Sequence, residues 1–326
     1  MANWNALQWD GEAGHYEVYY LTLTDRPSGI GLWIRYTMLA PLRGEPSCSL
    51  WLAAMDPGPS AVLGLKSSYP AGELVAQAEP FELRVQDATL TDRGMSGRLD
   101  GASWDLRWEP RLPAAEHVHP LLRRAKLAKT VLVLPHPDVE VSGTVRFDGR
   151  ELALEGARGA QAHLWGSKHA ARWAWAHCND FESMEGEPRR DCYLDGVSVF
   201  VPRLGRELGP STPVVGRFHG RDFHSTGPLR VARNHSVFGL TSWHLKAADG
   251  DRRVTATVDA DRHAMVGVTY HDPDGERAYC YNTETASMQV RVWEGDHLVD
   301  ELTAPGRAHF EYAQREPVPG VELQVD

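Results

Sequence analysis

The sequence QAHLWGSKHAARWAWAHCNDF, residues 161–181, is the stretch on which the predicted fold depends. In its second part, large and small side chains alternate strictly, which is the period of a β-strand and not that of a helix. One face of the predicted strand carries Trp173, Trp175, His177 and Asn179. Two indoles, an imidazole and an amide on one face indicate the wall of a semi-polar cavity. A plain core strand is the alternative, because tryptophan is usually buried and histidine is often only hydrogen-bonded in a core.

The rest of the chain also consists of short β-type segments separated by turn residues. Residues 15–24 and 31–40 predict a hairpin, and Asp195-Gly196 is one of several Asp-Gly pairs that predict tight turns. A single helix is predicted within residues 113–130, where a proline precedes an apolar and basic segment. Many short strands with frequent turns are typical of sandwiches or barrels and not of βαβ units. A chain of 326 residues exceeds the usual size of one core, so we expect two linked barrels.

Composition and charge argue against several classes of protein. The net charge is −10 and no run of Lys or Arg offsets it, which disfavours a nucleic-acid partner. No apolar run approaches the roughly 18 residues of a membrane-spanning helix, and the first residues lack the features of a secretory signal. The four cysteines are widely spaced, which indicates free thiols in a reducing compartment. We therefore expect a cytoplasmic protein without a membrane span, as a monomer or homodimer.

No sequence pattern indicates a cofactor or a metal. Neither a GxGxxG nor a Walker pattern is present, which disfavours dinucleotide and nucleoside triphosphate chemistry. His163, His169 and His177 lie close together in sequence, but their spacing fits no zincin or deaminase signature. We expect no cofactor and no metal site.

Residues 135–181 resemble the junction region of the tandem-lipocalin superfamily. This superfamily includes carotenoid 1,2-hydratases of the hydroxyneurosporene synthase type, tocopherol cyclases, AttH-like proteins and Svf-like proteins. The resemblance is carried by the Gly143 to Gly149 hairpin, the His163-x-Trp165-Gly166 turn and the Trp173-x-Trp175 strand. It implies an all-β fold of two consecutive lipocalin-like antiparallel β-barrels with at most short helices, at residues 1–160 and 161–326. The first strand region, GHYEVYYLTLTD, departs from the usual aromatic opening of the hydratases and cyclases, so their activity does not transfer with the fold.

Enzymes of this superfamily need an acid positioned against the substrate and aromatic faces that stabilise a developing cation. The candidate acids are His177, His163, Glu17 and Asp180. His177 is preferred because it shares a strand face with the indoles, whereas Asp180 points the other way. Glu17 and Arg35 are predicted to meet on facing strands, either inside a barrel or as an edge salt bridge. The candidate ligand-binding residues are Tyr19, Trp33, Arg35, Trp165, Trp173, Trp175 and Asn179.

Two functions are consistent with these residues. The first is binding of an apolar small molecule (a lipid, isoprenoid or polyketide) in a barrel cavity lined by aromatic residues. The second is a cofactor-independent cyclase, hydratase or isomerase that uses acid catalysis in the same cavity. The sequence contains no clear pair of catalytic acids, which slightly favours binding. A single cavity acid with a raised pKa would favour the enzyme, and a structural protein with filled barrels is a third alternative.

Overall fold

The fold is that of a computed structural model that describes residues 3–58, 61–119, 123, 128–203 and 206–326. Its strands form two β-sheets, one after the other along the chain. The first sheet contains β1 (His15–Thr24), β2 (Gly31–Ala40), β3 (Ser47–Asp56), β4 (Ala61–Pro70), β5 (Leu74–Ala78), β6 (Phe81–Val85), β7 (Ala88–Thr91), β8 (Gly94–Leu99), β9 (Ala102–Trp108), β10 (Ala115–Glu116), β11 (Thr130–Phe147) and β12 (Arg150–Gly166). Within residues 113–130, where a helix is predicted, residues 120–122 and 124–127 lie outside the described residues and Ala115–Glu116 form β10.

The second sheet contains β13 (Arg172–Cys178), β14 (Phe181–Ser183), β15 (Pro188–Arg189), β16 (Tyr193–Arg203), β17 (Arg206–Ser211), β18 (Val214–Phe218), β19 (Arg221–Ser225), β20 (His235–Gly239), β21 (Ser242–Asp249), β22 (Arg252–Asp259), β23 (Val266–His271), β24 (Arg277–Glu294), β25 (His297–Gln314) and β26 (Leu323–Val325). A short helix, α1 (Pro228–Val231), precedes β20, and single 3-10 turns lie at Ala71–Glu73 and Arg262–Ala264. In the described ranges, no helix is long and apolar enough to cross a membrane.

The first sheet curls around a single core. Its strand order is β4-β3-β2-β1-β12-β11-β9-β8-β7-β6-β5, with β10 beside β11, and every neighbouring pair is antiparallel. Leu21 of β1, Leu52 of β3, Leu83 of β6 and Leu106 of β9 belong to one buried cluster. Strands that are far apart in the order share this cluster, so the sheet is rolled into a barrel that side chains fill.

The second sheet repeats this architecture around its own core. Its central order is β19-β18-β16-β13-β25-β24-β22-β21-β20, and β23 pairs in parallel with the C-terminal strand β26. Ala176, Trp243 and Phe310 belong to its buried cluster. The structure thus confirms the predicted all-β fold of two consecutive barrels with short helices. The first sheet ends at Gly166 and the second begins at Arg172, while a division of the chain into domains at residues 160 and 161 stays a prediction.

Local predictions succeed where alternation is strong and fail at one glycine. β1 and β2 have the predicted bounds, and Asp148-Gly149 forms the predicted turn with positive φ at both residues. The predicted turn at Asp195-Gly196 is wrong, because both residues lie inside β16. A Cβ atom at position 196 would lie 2.9 Å from Cη2 of Trp243, so Gly196 permits close packing and does not form a turn.

Candidate functional site

A cavity of about 220 Å³ lies between the two sheets, and aromatic and charged side chains line it. In β1, alternation directs Tyr19 and Leu21 into the first core, and Tyr16, Val18 and Tyr20 toward the cavity. In β13, Ala174 and Ala176 lie in the second core. Trp173 and Trp175 face the other way and line the cavity. This cavity is therefore formed by the outer faces of the two sheets, whereas the sequence predicts a cavity within a barrel.

One lining residue of the cavity, His169, belongs to an Asp–His pair that the sequence analysis did not predict. His169 lies in the short link between the sheets, and its Nδ1 is 2.7 Å from Oδ1 of Asp272. The other Asp272 oxygen accepts a hydrogen bond of 2.7 Å from Arg315. The imidazole is stacked on aromatic rings, with centroid distances of 4.2 Å to Tyr16, 5.4 Å to Trp173 and 5.5 Å to Tyr270.

The charge of Asp272 fixes the hydrogen-bonding role of His169. Burial alone would raise the pKa of Asp272, but hydrogen bonds from His169 and Arg315 and the charge of His169 lower it to about 2. Asp272 is therefore a carboxylate at neutral pH, so Nδ1 of His169 donates its proton to it. The other ring nitrogen, Nε2, has no hydrogen-bond partner among the described residues, and an imidazole nitrogen can accept a proton when the ring is neutral and donate one when the ring is charged.

An ion pair forms a second polar group in the cavity wall. Nη2 of Arg35 lies 3.3 Å from Oε2 of Glu311 and donates to Asn282 at 2.9 Å, while Nη1 donates to the Tyr270 hydroxyl. The indole N–H of Trp173 donates to Oε1 of Glu311 at 2.5 Å. Both charges of this wall are thus compensated by neighbours within the protein.

The predicted meeting of Glu17 with Arg35 is wrong. The register of β1 and β2 places Glu17 opposite Met38 and Tyr20 opposite Arg35, so the two charges lie on opposite faces of the sheet. Glu17 instead accepts hydrogen bonds from His15 (2.9 Å), His163 (2.8 Å) and the Tyr19 hydroxyl (2.7 Å).

This Glu17 cluster lies at one end of the first barrel and holds the N-terminal segment in place. Two backbone N–H groups, of Gln8 and Trp9, also donate to the carboxylate. Burial alone would raise the pKa of Glu17, but its hydrogen bonds to His15 and His163 lower it to about 2. His163 is fully buried and stacks on Tyr19 and, less closely, on Trp165. None of these residues lines the cavity described above.

Beyond Trp175 the layer between the sheets is closed. We call the part around the cavity the open half (Tyr16, Tyr20, Arg35, His169, Trp173, Glu311) and the part beyond Trp175 the closed half (Thr22, Thr24, His177, Asp195, Glu284, His309). In the closed half, Nδ1 of His177 lies 3.0 Å from Oδ2 of Asp195. Asp195 also accepts from the Trp175 indole at 3.1 Å and lies 2.9 Å from Nε2 of His117. His177 is fully buried, so the preferred acid of the sequence analysis does not reach the cavity.

Several polar groups of the closed half lack partners among the described residues. They are Nε2 of His177, Nδ1 of His309, Oε2 of Glu284 and Oγ1 of Thr22. Burial is the largest effect and raises the pKa of Glu284 to about 8, while the charge of Arg35 acts in the opposite direction. Burial also holds the pKa of His309 well below its usual value. At neutral pH these two side chains are uncharged.

The remaining predicted residues have structural partners. Asn179 donates to Asp138 and to the carbonyl of Gly159, and Asp180 forms a bidentate ion pair with Arg26. Trp33 is buried against Arg35, whose guanidinium carbon lies 4.1 Å from the ring centre. Of the predicted site residues, Arg35, Trp173 and Trp175 line the cavity. His169 lies before β13 begins, so strand parity could not identify it, and its proximity in sequence to His163 and His177 was the one signal for it.

One carboxylate cluster has the composition of a metal site. Asp272, Asp274 and Glu276 offer oxygen atoms within 4.8 Å of one another. Nζ of Lys168 lies 2.6 Å from Asp274 and 3.0 Å from Glu276, and Arg315 pairs with Asp272. Each carboxylate is already paired with Lys168 or Arg315, so a metal ion would have to displace these cations, and the donor set does not fit a bound metal ion.

The chain is similar to proteins of known sequence and structure. The tocopherol cyclase-like family matches residues 131–309, which is more than half of the chain. An uncharacterized protein of Mycobacterium tuberculosis is 29% identical over 293 residues, which cover 87% of this chain and 83% of that protein.

Three solved structures share the fold over nearly the whole chain. An AttH protein of Nitrosomonas europaea has a TM-score of 0.57 at 14% identity and covers 95% of this chain and 98% of its own. Kievitone hydratase of Nectria haematococca has a TM-score of 0.54 at 10% identity, and the match covers 96% of this chain and 93% of that protein. The protein CghA has a TM-score of 0.57 at 8% identity, and the match covers 92% of this chain and 88% of that protein.

Proposed function

Because the chain belongs to the tocopherol cyclase-like family, we propose that it adds a proton to an unsaturated apolar small molecule in the cavity between its sheets. The reaction is a hydration, cyclisation or isomerisation, and His169 is the acid and base. The observation that carries the proposal is the His169–Asp272 pair, whose imidazole is stacked among aromatic rings and has one ring nitrogen without a hydrogen-bond partner in the described part of the chain. A solved relative in fold is a hydratase by name, which supports this class of reaction.

The proposed step conserves atoms and charge. Protonated His169 donates the Nε2 proton to one carbon of a double bond, whose electron pair forms the new C–H bond and leaves a carbocation at the other carbon. The faces of Tyr16 and Trp173 stabilise this cation, by roughly 0.5–2 kcal/mol for each ring. Water or a hydroxyl of the substrate then attacks the cation, or a neighbouring carbon loses a proton. In each case Nε2 takes up the released proton, and Asp272 stabilises the charged imidazole.

Binding without turnover is the second candidate function. The cavity carboxylate Glu311 is held by Arg35 and Trp173, and therefore it does not act as a free acid. Such a paired carboxylate also suits a carrier that binds an apolar ligand in a fixed orientation.

A single labelling experiment distinguishes the two functions. Purified protein is incubated in D₂O with a set of isoprenoid and polyene compounds, and products are analysed by mass spectrometry. Hydration, cyclisation and isomerisation all place one solvent-derived deuterium on carbon, so one readout covers all three reactions. We expect such a product from the wild type and a loss of about 10²–10⁴-fold with His169→Asn. Equal product formation by His169→Asn would refute the role of His169, and binding without deuterium incorporation would favour the carrier.

A further inference from the structure

A row of alternating cations and aromatic rings crosses the first-barrel wall of the cavity. Tyr20, Arg35, Trp51 and Lys66 are successive cross-strand neighbours on β1, β2, β3 and β4. All four side chains line the cavity. Neighbouring strands lie about 4.8 Å apart, so Lys66 is about 10 Å from Arg35 along the wall. The cavity therefore has two cations at separate positions.

The two cations differ in their partners. Arg35 is paired with Glu311, whereas no carboxylate side chain in the described part of the chain lies within 4 Å of Nζ of Lys66. The ammonium lies 4.4 Å from the centre of the Trp51 ring and donates one hydrogen bond, of 2.9 Å, to the main-chain oxygen of Asp326. The Asp326 side chain is directed to His271 instead, at 3.5 Å. Because an ammonium has three donors, Lys66 can still donate to a ligand.

The surroundings of Lys66 suit an anionic group. Ser49 and Ser68 occupy the next cross-strand row, line the cavity and lie 2.9 Å apart at their hydroxyl oxygens. Lys66 is half-buried, and burial lowers its pKa, against the opposing effect of Asp326. The Asp326 oxygen takes one of the three ammonium donors, and a bound anion would accept from a remaining donor and further compensate the partly desolvated charge. The chain as a whole has a net charge of −10, so any attraction of an anion must be local.

We propose that the ligand of the cavity is an amphipathic carboxylic acid whose carboxylate binds to Lys66, Ser49 and Ser68. Its unsaturated body extends along Trp51 and Tyr270 to His169. The Tyr270 ring lies between the other two, with its centroid 6.4 Å from Trp51 and 5.5 Å from His169. This inference rests on the proposed function, because it defines the substrate class of the same cavity.

Calorimetric titration with geranic acid and geraniol tests the inference. The two compounds share one isoprenoid skeleton and differ in the head group, which is a carboxylate in the first and a neutral alcohol in the second. We expect the wild type to prefer geranic acid by about tenfold, as one charge-assisted hydrogen bond provides. Lys66→Gln should lower the affinity for geranic acid by about tenfold and leave the affinity for geraniol unchanged. Lys66→Arg should retain most of the preference for geranic acid.

Lys246→Gln is the matched control, because Lys246 is exposed on β21 and its substitution changes the net charge by the same amount. It should leave both affinities unchanged. Equal affinities of the wild type for both compounds would overturn the carboxylate site and leave the proposed cavity function standing. An equal loss of affinity for both compounds in Lys66→Gln would have the same meaning. So would a loss of affinity for geranic acid in Lys246→Gln. If neither compound binds to the wild type, the ligand cavity of the proposed function is refuted as well.

Discussion

The layer between the sheets contains two Asp–His pairs with opposite surroundings. His169 and Asp272 lie in the open half, where the imidazole borders a cavity. His177 and Asp195 lie in the closed half, where the imidazole is fully buried and its Nε2 has no partner in the described structure. The same pair of side chains can therefore serve chemistry in one half and packing in the other. Access to the cavity, and not the identity of the pair, distinguishes the two imidazoles.

The same substitution in both pairs gives the largest expected contrast. Asp272→Asn removes the carboxylate that accepts the hydrogen bond from Nδ1 and orients the His169 ring, so we expect deuterium incorporation to fall about 10²–10⁴-fold. Asp195→Asn removes a buried charge that contacts His117, His177 and Trp175, so we expect a loss of stability of about 3–5 kcal/mol with turnover per folded molecule retained. Labelling rates and urea unfolding of both variants measure the two effects. Turnover that depends on Asp195 and not on Asp272 would reverse the assignment.

Glu284 tests whether burial in the closed half controls stability. Its folded-state pKa of about 8 lies above its ordinary value of 4.5. A raised carboxyl pKa means that stability is present below pH 4.5 and is lost progressively as the pH rises toward 8. Glu284→Gln keeps the shape and removes the titration, so it should stabilise the protein by up to about 5 kcal/mol at pH 8 relative to pH 4.5. Urea unfolding at several pH values measures this, and parallel curves for wild type and variant would contradict it.

Glu17 is buried like Glu284, but its pKa is shifted in the opposite direction. Its five hydrogen-bond donors hold its pKa at about 2, below its ordinary value of 4.5. A lowered carboxyl pKa means that stability is present above pH 4.5 and is lost as the pH falls toward 2. We expect Glu17→Gln to cost about 3 kcal/mol at pH 6, with the difference shrinking toward pH 2. The same unfolding series tests this, and a difference that is constant from pH 6 to pH 2 would refute it.

The sequence predicts the strands and their faces better than the site. Strict alternation around Trp173 and Trp175 was sufficient to assign a strand and its two faces, and the resemblance of residues 135–181 correctly indicated two barrels. The partners of each face depend on register and on contacts between residues distant in the sequence. Asp272 meets His169 across 103 positions, and Glu311 meets Arg35 across 276. Gly196 shows a second limit, because an Asp-Gly pair favours a turn locally while packing against Trp243 keeps it in a strand.

Two tryptophans give the contrast with the smallest expected effect, since one lines the cavity and donates a hydrogen bond and the other does neither in the described structure. The Trp173 indole lines the cavity and donates to Glu311, whereas the Trp33 indole is buried with no acceptor among the described residues. Trp173→Phe should lower the affinities for geranic acid and geraniol alike by about tenfold, because it removes this hydrogen-bond donor and leaves Glu311 less firmly held. Trp33→Phe removes an unsatisfied N–H, so it should leave both affinities unchanged and stability equal or slightly higher. Calorimetric titration and thermal unfolding measure both variants. A larger loss of affinity in Trp33→Phe would place the ligand in the closed half, because Trp33 lies opposite Thr22 in the register of β1 and β2.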